Sequence, residues 1–244
     1  MKKVEIAMRR LKQLITGLIV GVLCLTATIE VQAISKEEKQ VLATYRSFAF
    51  GLTLVQVAKV MYGKSYKQHL TEKNGATVFK QKAIRVKNEQ GYRTRTYAFF
   101  DRSKTLPTRM ELEFDTKRNK STYYLTTKAL QFLADSPTGL RESTRTIPHI
   151  TRIHSGQTER QLDRHVSGQQ GLGHVAMRWS WDYTAVQTKQ ERKKYKYLGQ
   201  SKVYVFDSSN PHKQIDLVMH YDDRHKKYKV NYYSVLTLEE DEVK

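Results

Sequence analysis

Cysteine is almost absent: of 244 residues only Cys24 is one, and it lies in an apolar stretch near the amino end. Past that stretch the chain holds no thiol. Disulfide staples and a cysteine nucleophile are both excluded there, and each domain must rest on its own apolar core. No apolar run after Ala27 approaches the ~20 residues needed to span a bilayer. Metal-ligand spacing is missing too. The eight histidines include His149 with His154 and His220 with His225, each pair five apart, but no His-x-x-x-His pair, so no metal is expected. Gly-x-Ser-x-Gly does not occur. Gly168, Gly171 and Gly173 follow an expected helix rather than a strand, which excludes a dinucleotide loop. Asp222-Asp223 reads as a turn. With no catalytic constellation and no cofactor motif, the chain is expected to be non-enzymatic.

Acidic residues are also scarce, 24 against 43 lysines and arginines, for a formal net charge of +19. The amino end carries Lys2, Lys3, Arg9, Arg10 and Lys12, then an apolar run from Leu14 to Ala27, then Val31-Gln32-Ala33. That is the three-part layout of a bacterial secretory signal, with cleavage expected after Ala33 and no membrane span left behind. Leu23 before Cys24 is too large for a lipid-anchoring signal. The remainder keeps about +16, because residues 1–33 hold five bases and two acids. Such a field attracts polyanions. For an exported protein the accessible partners are an extracellular or envelope protein, or an anionic wall polymer; nucleic acid is not expected. The charge could equally serve only solubility and retention near an anionic envelope.

What the chain does contain is a motif written twice. GLTLVQVAKVMYG at Gly51–Gly63 returns as GQTERQLDRHVSG at Gly156–Gly168, 105 residues on. Thr53 with Gln56, and Thr158 with Gln161, have capping-box spacing. Gly63 and Gly168 fall where such a helix ends, and Gly51 and Gly156 where the chain must turn into it. Val57, Val60 and Met61 make one apolar face; Leu162 and Val166 make a weaker one. TYAFF at Thr96–Phe100 matches VYVFD at Val203–Asp207 at an offset of 107, and the same offset pairs Met110, Leu112 and Phe114 with Leu217, Met219 and Tyr221.

These signals predict an α+β protein of two tandem repeats, each a helix–loop–helix packed on a four-stranded antiparallel sheet. Ser35-Lys-Glu-Glu38 opens a helix reaching about Phe48, and Thr146–His154 is its expected counterpart, with Pro148 tolerated in the first turn. Expected strands are Ala76–Val86, Tyr92–Phe100, Met110–Asp115 and Ser121–Thr127, then His174–Tyr183, Lys194–Leu198, Lys202–Asp207, Ile215–Tyr221 and Lys227–Val235. Lys128–Ala134 reads as a short helix. The expected parts are a signal segment 1–33, units at 34–135 and 145–238, a linker at 136–144 and an acidic tail at 239–244.

The Gly-x-Thr-x-x-Gln-Val motif, after a short helix and before a strand meander, resembles the β-lactamase-inhibitory-protein-like fold, a tandem pair of such units. It is similar in design to the single unit of the outer-membrane barrel-assembly lipoproteins. The resemblance implies a protein-binding sheet surface; β-lactamase inhibition is not carried over.

Three groups of residues are candidates for contact with a partner. Met177, Trp179, Trp181 and Tyr183 alternate with polar residues along one strand. They form an aromatic platform if they point away from the helices and the second unit's core if they point inward; the core is the plainer reading. Arg192, Lys193, Lys194 and Lys196, with Lys226 and Lys227, lie in basic runs interleaved with aromatics. Such runs suit a polyanion, and equally suit the solvent face of ordinary strands whose charges oppose aggregation.

Overall fold

Thr53 begins the fold as its spacing requires. Its backbone is extended, its Oγ1 accepts the Gln56 N–H at 3.2 Å, and Gln56 Oε1 accepts the Thr53 N–H at 2.8 Å. Thr158 and Gln161 repeat the box at 3.3 and 2.8 Å. In the computed structural model, residues 36–167, 171–195 and 197–238 are described. The expected signal segment, Cys24, the Ser35 cap, Gly168, Lys196 and the tail 239–244 lie outside them.

The elements run α1 (Lys36–Ser47), α2 (Leu54–Tyr62), a 3-10 helix (Gly63–His69), β1 (Leu70–Lys73), β2 (Ala76–Phe79), β3 (Arg85–Glu89), β4 (Tyr92–Asp101), β5 (Thr108–Thr116), β6 (Tyr123–Phe132) and β7 (Thr146–Ile147). A 3-10 turn (Ile150–Arg152), α3 (Glu159–Asp163), β8 (Met177–Asp182), α4 (Lys189–Lys194), β9 (Leu198–Ser208), β10 (Lys213–Asp222) and β11 (Lys227–Thr237) follow. The protein is α+β with a mostly antiparallel sheet. It does not have four-stranded sheets: a single nine-stranded sheet runs β11-β10-β9-β8-β6-β5-β4-β3, with β7 parallel to β9, and β1–β2 form a separate hairpin.

The join is the antiparallel ladder from Thr127↔Trp181 to Gln131↔Met177. The stretch 136–144, read as a linker, is a turn followed by a strap on the sheet. Gly139 N–H bonds Ser136 O at 2.8 Å, Arg141 N–H bonds Phe132 O at 2.8 Å, and Ser143 N–H bonds Val205 O at 2.6 Å. One sheet therefore crosses it.

Apolar cores lie under each half of the sheet, on one face only. Leu54, Val57 and Ala58 of α2 meet Val78, Phe79, Tyr97, Leu112, Phe114 and Leu125. Leu162 of α3 meets Ile147, Ile153, Tyr204, Phe206, Ile215, Leu217, Met219 and Val230. Val60, assigned to the apolar face of α2, is 50 % exposed; Met61 packs inward with Leu54, Val57 and Ala58 instead. Each fully buried large apolar side chain contributes roughly 1.5–3 kcal/mol.

The same backbone contacts recur 105 residues apart. Gly51 N–H bonds Leu125 O at 2.9 Å and Leu125 N–H bonds Leu52 O at 2.8 Å; Gly156 N–H bonds Val230 O at 2.8 Å and Val230 N–H bonds Gln157 O at 2.7 Å. Both glycines have positive φ, 79° and 86°, which turns the chain from strand edge into helix. A bulge interrupts β5–β6 between Glu113 and Phe114, and another interrupts β10–β11 between Val218 and Met219. Tyr97 pairs with Leu112 and Tyr204 with Leu217. This register sets β10 at 105 residues from β5, not the 107 read from sequence. An apolar alternation of period two looks the same after a slip of two.

Other elements differ from expectation for local reasons. No helix pair opens the second half. Thr146–Ile147 is strand β7, because Pro148 biases the residue before it towards extended backbone, and only one 3-10 turn follows. Most of Lys128–Ala134 is strand: Leu130 and Phe132 alternate inward on β6. Ala76–Val86 is two strands, parted at 80–84. Lys194–Leu198 is not a strand at its start, because Thr188 and Glu191 form a third capping box and make α4.

Lys128 fastens α1 to the sheet. Its Nζ donates to Tyr45 O at 3.0 Å and Phe48 O at 2.7 Å, at the helix end where carbonyls lack partners. It lies 4.5 Å from the Tyr45 ring centroid and 4.7 Å from that of Phe50. Tyr45 hydroxyl bonds Lys128 O and Ser180 Oγ. Burial pulls the Lys128 pKa down to about 8 and pushes that of Tyr45 up to about 12.

Between about pH 8 and 10 the unfolded chain then holds a proton on Lys128 that the folded chain sheds, so stability rises with pH. Above pH 10 Tyr45 acts in the opposite sense. Urea midpoints at pH 7.5 and 9.5 should rise for the native protein and stay flat for Lys128→Met. Thr53→Ala and Thr158→Ala should each cost about 1 kcal/mol in the same assay, and Leu112→Ala roughly 2–5 kcal/mol.

Candidate functional site

Strand β8 turns its aromatics away from the helices. Lys128 and its pair Ser180 face α1, so the alternate pairs Ala129↔Trp179 and Thr127↔Trp181 face the open side. Trp179 is 42 % exposed, and neither tryptophan joins an apolar core. The inward placement of Met177, Trp179, Trp181 and Tyr183, the plainer expectation, is therefore corrected: this face of β8 is the one opposite α1 and the two apolar cores. The indole centroids lie 5.1 Å apart, and Trp181 meets the edge of His220 at 5.8 Å. His220 Nδ1 is 3.0 Å from Ser201 Oγ, and burial lowers its pKa. The Trp181 ring lies against Gly199; a Cβ there would approach its Cζ2 to 2.5 Å. This glycine is needed for the close approach of a ring.

Acidic side chains share the open face one half-sheet away. On β5, Glu111, Glu113 and Asp115 alternate with the core residues. Asp115 accepts from Thr94 Oγ1 and, at 2.5 Å, from Thr126 Oγ1; burial raises its pKa. Glu113 accepts from Thr96 at 3.0 Å and from the Tyr183 hydroxyl at 3.3 Å. Burial first, with Glu113 nearby, pushes the Tyr183 pKa up to about 12. Tyr183 packs edge-on against Tyr197, centroids 5.3 Å apart.

Between this row and α4 lies an open cleft of about 410 Å3, lined by Tyr92, Asp115, Tyr183, Val186, Gln187, Glu191, Tyr195 and Tyr197. The β8–β9 connection forms its outer wall, closed by Tyr183 N–H to Tyr197 O at 3.1 Å and anchored by the Thr188–Glu191 cap. Tyr92 hydroxyl reaches Glu191 Oε1 at 3.4 Å. Sequence reading missed this cleft. The Thr188-x-x-Glu191 spacing could have signalled its wall, but its floor exists only through the pairing of distant strands.

The basic candidates divide. Arg192, Lys193 and Lys194 are exposed on α4, while Lys226 and Lys227 are exposed at the β10–β11 turn, where Lys226 has a φ of 52°. In that turn Asp222 accepts from Lys229 at 2.7 Å and His225 at 2.6 Å, which hold its carboxyl well below the usual range. Among the described residues no three His, Cys, Asp or Glu side chains are grouped to hold a metal, and no helix is long and apolar enough to cross a membrane. The chain matches no protein-family model, no curated protein and no solved structure.

Gly199→Ala should displace the Trp181 ring. The expected readouts are a shifted tryptophan emission spectrum and a stability loss of roughly 1–3 kcal/mol by urea.

Proposed function

We propose that the chain is a secreted, non-enzymatic binding protein of a bacterial envelope, and that it docks a protein partner on the open face of its sheet around Trp179 and Trp181. The observation that carries this reading is the placement of both tryptophans of the chain, side by side with tilted rings, on the sheet face opposite α1 and the apolar cores. Trp179 is exposed and Trp181 half-buried beside it, and tryptophan is enriched among the residues that dominate protein interfaces.

The scaffold is in this reading a tandem duplication of one α+β unit, the second copy having lost its opening helix. The repeated glycine–strand bonds, capping boxes and bulges support it, as does the resemblance to the β-lactamase-inhibitory-protein-like fold. Secretion rests on the signal-like segment 1–33.

The alternative is retention on an anionic wall polymer by charge, favoured by the exposed Arg192, Lys193, Lys194, Lys226 and Lys227. The two readings separate in one experiment. Protein lacking residues 1–33 is immobilised and exposed to envelope extract and culture medium at low and high salt. Protein docking predicts a salt-resistant partner whose affinity falls about 30-fold or more in Trp179→Ala/Trp181→Ala. It also predicts capture unchanged when Lys193, Lys194, Lys226 and Lys227 are reversed to Glu. Retention by charge predicts the opposite pattern and a steep loss with salt. Capture indifferent to the double tryptophan change sinks the docking proposal.

A further inference from the structure

We propose that the tyrosine-lined cleft beside the tryptophan pair is a receptor for one arginine side chain of the protein partner. The inference rests on the docking reading above and names the anchor it uses.

The chemistry of the wall is one-sided. Among the described residues, four of the eight that line it are tyrosines, two are carboxylic acids and none is a base, in a chain of net charge +19. A cleft whose described lining carries acids and no base is complementary to a cation. Aromatic faces attract cations through their ring quadrupole, most strongly where water is excluded. Asp115 lies in the floor and Glu191 in the wall. Their hydrogen bonds come from neutral hydroxyls, namely Thr94, Thr126 and Tyr92, and from the Thr188 backbone N–H. Gln187 adds a buried Oε1 with no hydrogen-bond partner among the described residues. Its amide nitrogen is engaged by Tyr195 O at 3.4 Å, so the free group is an acceptor.

Acceptors and ring faces together fit a guanidinium, which is planar, stacks on tyrosine and carries several donors. Among the described residues, Lys194 and Arg118 stand near the cleft. Lys194 Nζ is 5.9 Å from the Tyr195 ring centroid. Arg118 is close enough to help lower the Glu191 pKa, behind the larger effect of the Thr188 hydrogen bonds. Neither residue lines the cleft. Its volume of about 410 Å3 lies in the range of real ligand sites. It is also continuous with the tryptophans: Tyr183 follows Trp181 by two residues and contacts Tyr197 in the wall. A partner seated on Trp179 and Trp181 is thus within reach of it.

The test titrates N-acetyl-arginine methylamide into protein lacking residues 1–33 and follows tyrosine ring resonances by NMR. The neutral isostere N-acetyl-citrulline methylamide serves as the control. Saturable shifts confined to Tyr92, Tyr183, Tyr195 and Tyr197 are expected for arginine and not for citrulline. Glu191→Gln removes the charge but keeps an N3 residue that can complete the capping box, as Gln56 and Gln161 do. It should weaken the arginine probe about 5- to 10-fold. Tyr197→Ala, at a ring 57 % exposed, should do the same without loss of fold. Absence of saturation below about 100 mM, a range that even weak cation cages reach, overturns the proposal, and so does equal binding of citrulline. In the partner-capture assay Glu191→Gln must weaken capture by a similar factor. If it does not while Trp179→Ala/Trp181→Ala still abolishes capture, the arginine receptor is refuted and the docking face stands.

Discussion

The ladder between β6 and β8 is the constraint on which the rest of the molecule depends. It merges two strand groups into one sheet, and its alternation sorts side chains between two environments. Lys128 and Ser180 go to the helix side, where a buried ammonium caps the end of α1 and Tyr45 bonds across the seam. Ala129, Trp179 and Trp181 go to the other side. A slip of one residue would bury the indoles against α1 and strand the ammonium in the open, losing both arrangements at once. The buried Lys128 charge works against stability by itself. Its two carbonyl bonds and two ring contacts offset only part of that cost, since burial still pulls its pKa down to about 8.

From that seam the open face follows. The β8–β9 connection is long where the β3–β4 hairpin is a tight Gln90–Gly91 turn with φ values of 52° and 85°. The extra chain rises over the open face as α4 and its flanks, and the cleft is the space it encloses against β4 and β5. Glu113 of β5 then meets Tyr183, 70 residues away in sequence, and Glu191 of α4 meets Tyr92, 99 residues away. The two faces thus divide the work: packing on one side gives a rigid platform, and the other carries aromatic and acidic groups that the core does not use.

Local chemistry was readable in advance. The Thr53 and Thr158 caps, the positive-φ glycines at Gly51 and Gly156, and the strands holding Tyr97, Leu112, Tyr204 and Leu217 all follow from neighbours within a few residues. Asn74-Gly75 and Thr188-x-x-Glu191 carried equally local signals, for the β1–β2 hairpin and for α4. The platform was legible only as an alternation: Met177, Trp179, Trp181 and Tyr183 share a face whichever side that face takes. Nothing in the spacing says whether helices cover it, because a strand buried on one side and a strand open on one side alternate identically.

The sequence by itself determined the helix starts, the turn glycines and the two-faced character of the strands, since each depends on contacts within a turn or a hairpin. Only the tertiary structure decided that the sheet is continuous, that β10 aligns with β5 at 105 residues, and that the tryptophans face away from the helices beside an acidic tyrosine cleft. These depend on which strand edge meets which. That choice is made by summed burial and hydrogen bonding over residues far apart in the chain, which no local pattern encodes.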